Sequence, residues 1–194
     1  ANTAFLAVDN HENDDHSPYV FITRDGGKTW SNSVTGLPNN AFVRVVREDL
    51  RIKNLLYCGT EVGMFFSPNG GERWYPFQMN LPIVPIHDIA LKNRDLIVAT
   101  HGRSFWVLDD LTPIQDWAAS GFDKISEPTL FVPATGYSWG GGGFGGGGGR
   151  RAPGAPTEPM GANPLQGLIV NYYLPKESKE VKLEMLDAAG IVVA

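Results

Sequence analysis

Four histidines and a scatter of acidic residues hold most of the polar chemistry available to this chain. Two of the histidines fall in one short span, as His87-Asp88 and His101-Gly102-Arg103, each beside a strand-like run. Imidazole titrates near neutrality, so general acid–base work is chemically open to this group. The spacing favours structural roles, with His87, Asp88, His101 and Arg103 as ligand or partner contacts. The other two histidines sit in the densest acidic stretch, Asp9-Asn10-His11-Glu12-Asn13-Asp14-Asp15-His16. Close oxygen ligands could hold calcium, through Asp9, Asp14 and Asp15. The stretch lacks the regular alternation and the glycine of a dedicated calcium loop. A solvated acidic loop is therefore the favoured reading, with no cofactor expected and calcium the alternative.

The totals narrow the classes further. Acidic side chains outnumber basic ones 21 to 16, for a formal charge of −5, and no Lys/Arg block appears, which argues against nucleic acid. A single cysteine excludes an internal disulfide framework or a cysteine-based zinc cluster. Cys58 lies in the strand-like run Leu55-Leu56-Tyr57-Cys58, where a thiol acts as a small buried hydrophobe. No apolar run reaches the 18 or more residues that a membrane span needs.

These groups would be positioned by a repeat. Thr23-Arg24-Asp25-Gly26-Gly27-Lys28-Thr29-Trp30 returns 44 residues later as Ser67-Pro68-Asn69-Gly70-Gly71-Glu72-Arg73-Trp74. Each copy follows an aromatic run, and each reads as strand, tight turn, strand. Asp25 or Asn69 accepts bonds from backbone further on, and Gly27 or Gly71 supplies a conformation that other residues resist. Gly36-Leu37-Pro38 and Asn80-Leu81-Pro82 echo each other at the same offset. A period in the forties built of short strands points to propeller blades.

Thr23, Asp25, Gly27, Thr29 and Trp30 match Ser/Thr-x-Asp-x-Gly-x-Thr-Trp throughout. The second copy keeps Ser67, Gly71 and Trp74, with Asn69 for the aspartate and Arg73 for the threonine. This resembles the BNR/Asp-box β-propellers, a group that includes sialidases, xyloglucan-active hydrolases and sortilin-like secreted bacterial proteins. The resemblance implies that the box is a folding device and carries no chemistry. About three blades can be counted over residues 1–134. A closed propeller needs more, so the remaining blades are expected on missing parts of this chain or on another chain. The tryptophans Trp30, Trp74 and Trp106 read as core at blade-related positions. A short helix is expected over Ile114–Ala119 behind Pro113.

Residues 135–164 change character. Positions 140–149 are glycine apart from Phe144, followed by Arg150 and Arg151. They read as a linker, because ordering glycine costs about 1–2 kcal/mol per residue with little side chain to offset it. Beyond it, Leu168–Leu174 and Val181–Asp187 read as strands, the start of a fibronectin-like sandwich over 165–194. The fold expectation is thus all-β, a partial propeller with a linker and an incomplete sandwich.

The functional expectation is a non-catalytic binding or scaffold module outside the cytoplasm, extracellular or periplasmic, recognising protein or glycan through loops at the propeller face. The alternative is part of a secreted glycoside hydrolase, xyloglucanase- or sialidase-like. Such an enzyme needs two carboxylates about 5–9.5 Å apart, and Asp88, Asp95 and Asp109-Asp110 are the acids this region offers. Its catalytic pair would then lie mostly outside this sequence.

Overall fold

A computed structural model describes residues 2–122, 124–135 and 168–193. Twelve short strands, one α-helix and a single 3-10 turn (His11–Asn13) make up the regular structure of these residues. Strands β1 (Ala4–Asn10), β2 (Asp15–Thr23) and β3 (Ser31–Asn32) form one antiparallel sheet. The second sheet has β4 (Val43–Glu48), β5 (Leu56–Thr60), β6 (Gly63–Ser67) and β7 (Tyr75–Pro76) in sequential order. The third contains β8 (Ile86–Lys92), β9 (Asp95–Thr100) and β10 (Phe105–Leu108). Helix α1 covers Thr112–Ala119. A small fourth sheet pairs β11 (Thr129–Leu130) with β12 (Tyr172–Tyr173).

The four-stranded sheet is the middle layer. Its strands β5 and β6 are buried along their whole length, as their unbroken apolar runs require of strands covered on both faces. One face packs Val43, Val46, Leu56, Cys58 and Phe65 against Val20 of the first sheet. The other packs Val45, Tyr57, Met64 and Phe66 against Ile86, Ile89, Leu96 and Val98 of the third. Close approach at Gly59 makes the second contact possible. A Cβ there would stand 2.6 Å from Ile86 Cγ2 and 2.7 Å from Val45 Cγ1. Cys58 is fully buried, and desolvation raises its thiol pKa far above the ordinary value, which keeps it protonated and unreactive.

The partial-propeller expectation is corrected here. The described residues form four separate antiparallel sheets, and none closes into a propeller or a barrel. The outer faces of the stack stay open, with Leu6, Trp30, Phe105 and Val107 exposed. The repeat sets hydrogen bonding within each hairpin, whereas ring closure depends on packing between first and last sheets, which a local period does not encode. With no ring, the expectation of further blades supplied by this or another chain loses its ground.

The sandwich start is corrected as well. Of Leu168–Leu174 only Tyr172–Tyr173 pairs, and Val181–Asp187 contributes a single bridge, Leu186 to Val192. Val181, Leu183 and Met185 alternate as a strand would, yet all three are about half exposed, so no facing sheet among the described residues covers them. The Gly-rich stretch, with Tyr137, Trp139, Phe144, Arg150 and Arg151, lies outside the described residues. The helix forms as expected, starting two residues earlier, at Thr112. Asp110 Oδ1 accepts the Thr112 N–H at 2.9 Å and Pro113 occupies the first turn.

Candidate functional site

The two Gly-Gly turns have the same internal wiring. In the first, Thr23 Oγ1 accepts the Gly27 N–H at 2.8 Å and donates to Asp25 Oδ1 at 2.9 Å. Asp25 in turn accepts the Thr29 N–H at 2.9 Å and the Thr29 hydroxyl at 2.6 Å. In the second, Ser67 Oγ accepts the Gly71 N–H at 2.9 Å, and Asn69 Oδ1 accepts the Ser67 hydroxyl and the Arg73 N–H. Gly27 and Gly71 both have φ of +89°, a conformation with little penalty only for glycine. Asp25 has its pKa lowered to about 2, first by the Thr29 hydroxyl, then by the Thr29 N–H and the Thr23 hydroxyl. The side-chain oxygens of Thr23, Asp25 and Thr29 all take part in holding the turn.

The two tryptophans that end the boxes differ. Trp74 is 1% exposed and its indole N–H donates to Ser33 O at 2.8 Å, so it ties the middle sheet to the first. Gly36 admits it, because a Cβ there would clash with the Trp74 carbonyl. Trp30 is 45% exposed. Trp106 is half-buried against the second core.

The polar chemistry collects at one end of the sheet stack. Val45, Gly59 and Ile86 touch, and Arg47 reaches Asp88 further along, so β4 and β8 run in the same sense. The β1–β2, β5–β6 and β9–β10 turns therefore share that end. Arg44, on β4, forks onto Glu61 Oε2 through Nε at 3.1 Å and Nη2 at 2.9 Å. Its Nη1 stands 3.6 Å from Asp9 Oδ2, and its guanidinium carbon lies 4.8 Å from the Phe42 ring centroid. His11 stacks on the same Phe42 at 4.7 Å and 9°, while bonding Asp9 Oδ1 through Nδ1. Burial acts to raise the Asp9 pKa. The His11 hydrogen bonds and the His11 and Arg44 charges overcome it and hold the carboxyl below its ordinary value.

Sequence reasoning gathered Asp9, Asp14 and Asp15 as possible calcium ligands. The structure separates them. Asp9 faces Arg44 and His11, Asp14 takes a left-handed φ of 60° and is solvent-exposed, and Asp15 bonds Tyr19, Asn10 and Ser17. Those bonds, the Ser17 N–H foremost, depress the Asp15 pKa strongly. Among the described residues no group of three or more His, Cys, Asp or Glu side chains is placed to hold a metal. Arg44 and Glu61 were missed because they meet only across the β4–β5 pairing, 17 residues apart, and Asp9 joins them from another sheet; the signal available was Arg44 beside Phe42.

His87 and His101 come together, with His101 Nδ1 3.2 Å from His87 Nε2. Asp88 pairs with Arg47 at 2.7 Å. Arg103 uses its backbone, its carbonyl accepting the Trp106 indole N–H at 2.9 Å. A further cleft lies between the second and third sheets, lined by Met64, Phe77, Met79, Leu81, Val98 and Trp106. None of its lining groups titrates in the range that acid–base work needs. Asp49 is another acid that sequence reasoning passed over. It is buried, accepts from Tyr57 at 3.1 Å and from Gln115 of α1 at 2.9 Å, and so fastens the helix to the middle sheet.

No family model matches this sequence, and no curated protein matches it. Among solved structures, one that matches is the crystal structure of an ancestral GH74 enzyme. Identity is 23% and the TM-score 0.40, over 51% of this chain but only 15% of that one. The chain thus has a distant structural similarity to a GH74 enzyme and spans a small part of its length. No described helix is long and apolar enough to cross a membrane. The resemblance to BNR/Asp-box propellers, including the sortilin-like and sialidase groups, is corrected by the open sheets of the described residues. The Ser/Thr, Asp/Asn and glycine bonds that define the turn close within the motif, so those residues specify a turn and not the assembly around it.

Proposed function

We propose that this chain is a ligand-holding module for a glycan, without a complete acid–base pair of its own. The observation that carries this reading is the Arg44 cluster. Arg44, Asp9, Glu61, His11 and Phe42 bring fixed carboxylate oxygens and a stacked imidazole to one end of the fold. Carboxylates held by a guanidinium accept hydroxyl protons in defined directions, and the partly exposed His11 ring, backed by the buried Phe42, offers aromatic surface to the apolar face of a sugar ring. The shifted carboxyls Asp9, Asp15 and Asp25 all move downward. A general acid for glycoside cleavage needs the opposite shift. A hydrolytic carboxylate pair, if the module serves an enzyme, would come from residues beyond these. A polysaccharide ligand places the module outside the cytoplasm, in the periplasm or extracellular space.

Calorimetry with β-glucan oligosaccharides, xyloglucan fragments included, tests the reading. Binding should saturate at one site, weaken in Arg44→Met and Glu61→Gln, and release no reducing ends. Failure to bind any of these glycans, or binding indifferent to both substitutions, would refute it.

A further inference from the structure

We propose that His87 and His101 form a two-imidazole site for a divalent transition metal of the zinc–copper class. His87 occupies a break in strand register. Ile86 faces Thr100 and Asp88 faces Ala99, so His87 is the extra residue of a bulge on β8. Bulges redirect a side chain out of the regular alternation. On the partner strand, the His101 N–H donates to Pro85 O at 2.9 Å, which anchors the second histidine across from the bulge. Thr100 closes the turn beyond it, its hydroxyl donating to Ser104 O at 2.7 Å, with Gly102 and Ser104 both at positive φ.

The ring nitrogens this brings together are 3.2 Å apart, with centroids 5.0 Å apart and planes 33° from parallel. Two nitrogens bound tetrahedrally at about 2.0–2.1 Å from zinc lie about 3.4 Å from each other. The observed separation is within a few tenths of an ångström of that, and both side chains are exposed and able to turn their lone pairs to one point. Imidazole selects borderline ions such as Zn2+ and Cu2+ over Mg2+ and Ca2+. The nearest carboxylate in sequence, Asp88, is paired with Arg47, so water completes the coordination. This inference is independent of the glycan reading.

The test uses the chelator-treated chain and the metal alone, Zn2+ for calorimetry and Cu2+ for electron paramagnetic resonance. One equivalent should bind, with two equatorial nitrogens in the copper spectrum. His87→Gln and His101→Gln should each weaken binding at least about tenfold, and His11→Gln with His16→Gln should not. Imidazole NMR of the unsubstituted chain gives a readout free of folding effects, since Zn2+ should move the His87 and His101 signals first. Absence of binding, unchanged affinity in both variants, or movement confined to His11 and His16 would overturn the assignment.

Discussion

Replacing each of the two box tryptophans by alanine should have very different effects on stability. Trp74 is 1% exposed, packs with Val20, Leu37, Val43 and Phe65, and donates to the Ser33 carbonyl. Truncating a buried tryptophan costs roughly 3–5 kcal/mol through lost burial and the cavity left behind. The Ser33 carbonyl, itself buried, then loses a donor, which adds about 1–3 kcal/mol. Trp30, 45% exposed, should change stability by no more than about 1 kcal/mol. Urea unfolding followed by circular dichroism reads the difference. With a slope of about 1–3 kcal/mol/M, a loss of 4 kcal/mol lowers the midpoint by roughly 1.3–4 M. That is much of the about 5–15 kcal/mol a domain possesses. Trp74→Phe therefore serves as the milder probe, keeping most of the ring and losing the N–H, at about 1–3 kcal/mol. Equal effects at Trp30 and Trp74 would refute the claim that Trp74 ties the first sheet to the second.

The Asp25 carboxyl, lowered from an ordinary 3.8 to about 2 in the folded chain, predicts a pH dependence. The unfolded state binds more protons between those values, so this contribution is whole above about pH 4 and is lost as pH falls through 2. Asp25→Asn, which copies the residue found at Asn69, should flatten that part of the urea-midpoint profile between pH 5 and 2. An unchanged profile would show that Thr29 and Thr23 do not stabilise the carboxylate. Gly59→Ala should destabilise by about 1–3 kcal/mol by thermal melting, because Ile86 and Val45 are buried on the side the new methyl enters. A neutral result would mean that the second and third sheets separate at little cost.

What the sequence by itself determined is local. The two Gly-Gly turns, the hairpins around them, the helix behind Pro113 and the burial of Cys58 follow from hydrogen bonds and apolar runs contained within a few residues. Val181–Asp187 shows the limit of that logic: the alternation is there, but among the described residues it makes only a single bridge. Tertiary structure decided everything that needs residues far apart. Trp30 and Trp74 stand at equivalent places in one repeat, yet among the described residues only Trp74 is buried against a neighbouring sheet. Asp49 is a buried clasp because Gln115, 66 residues on, lies over it. Arg44 finds Glu61 and Asp9 on different hairpins, and His87 meets His101 only through a bulge that no spacing announces. Whether sheets close into a ring belongs to the same class, and here four open sheets are the answer. Turn chemistry acts over a few bonds, whereas packing between sheets is decided by the sum of many weak contacts between distant segments.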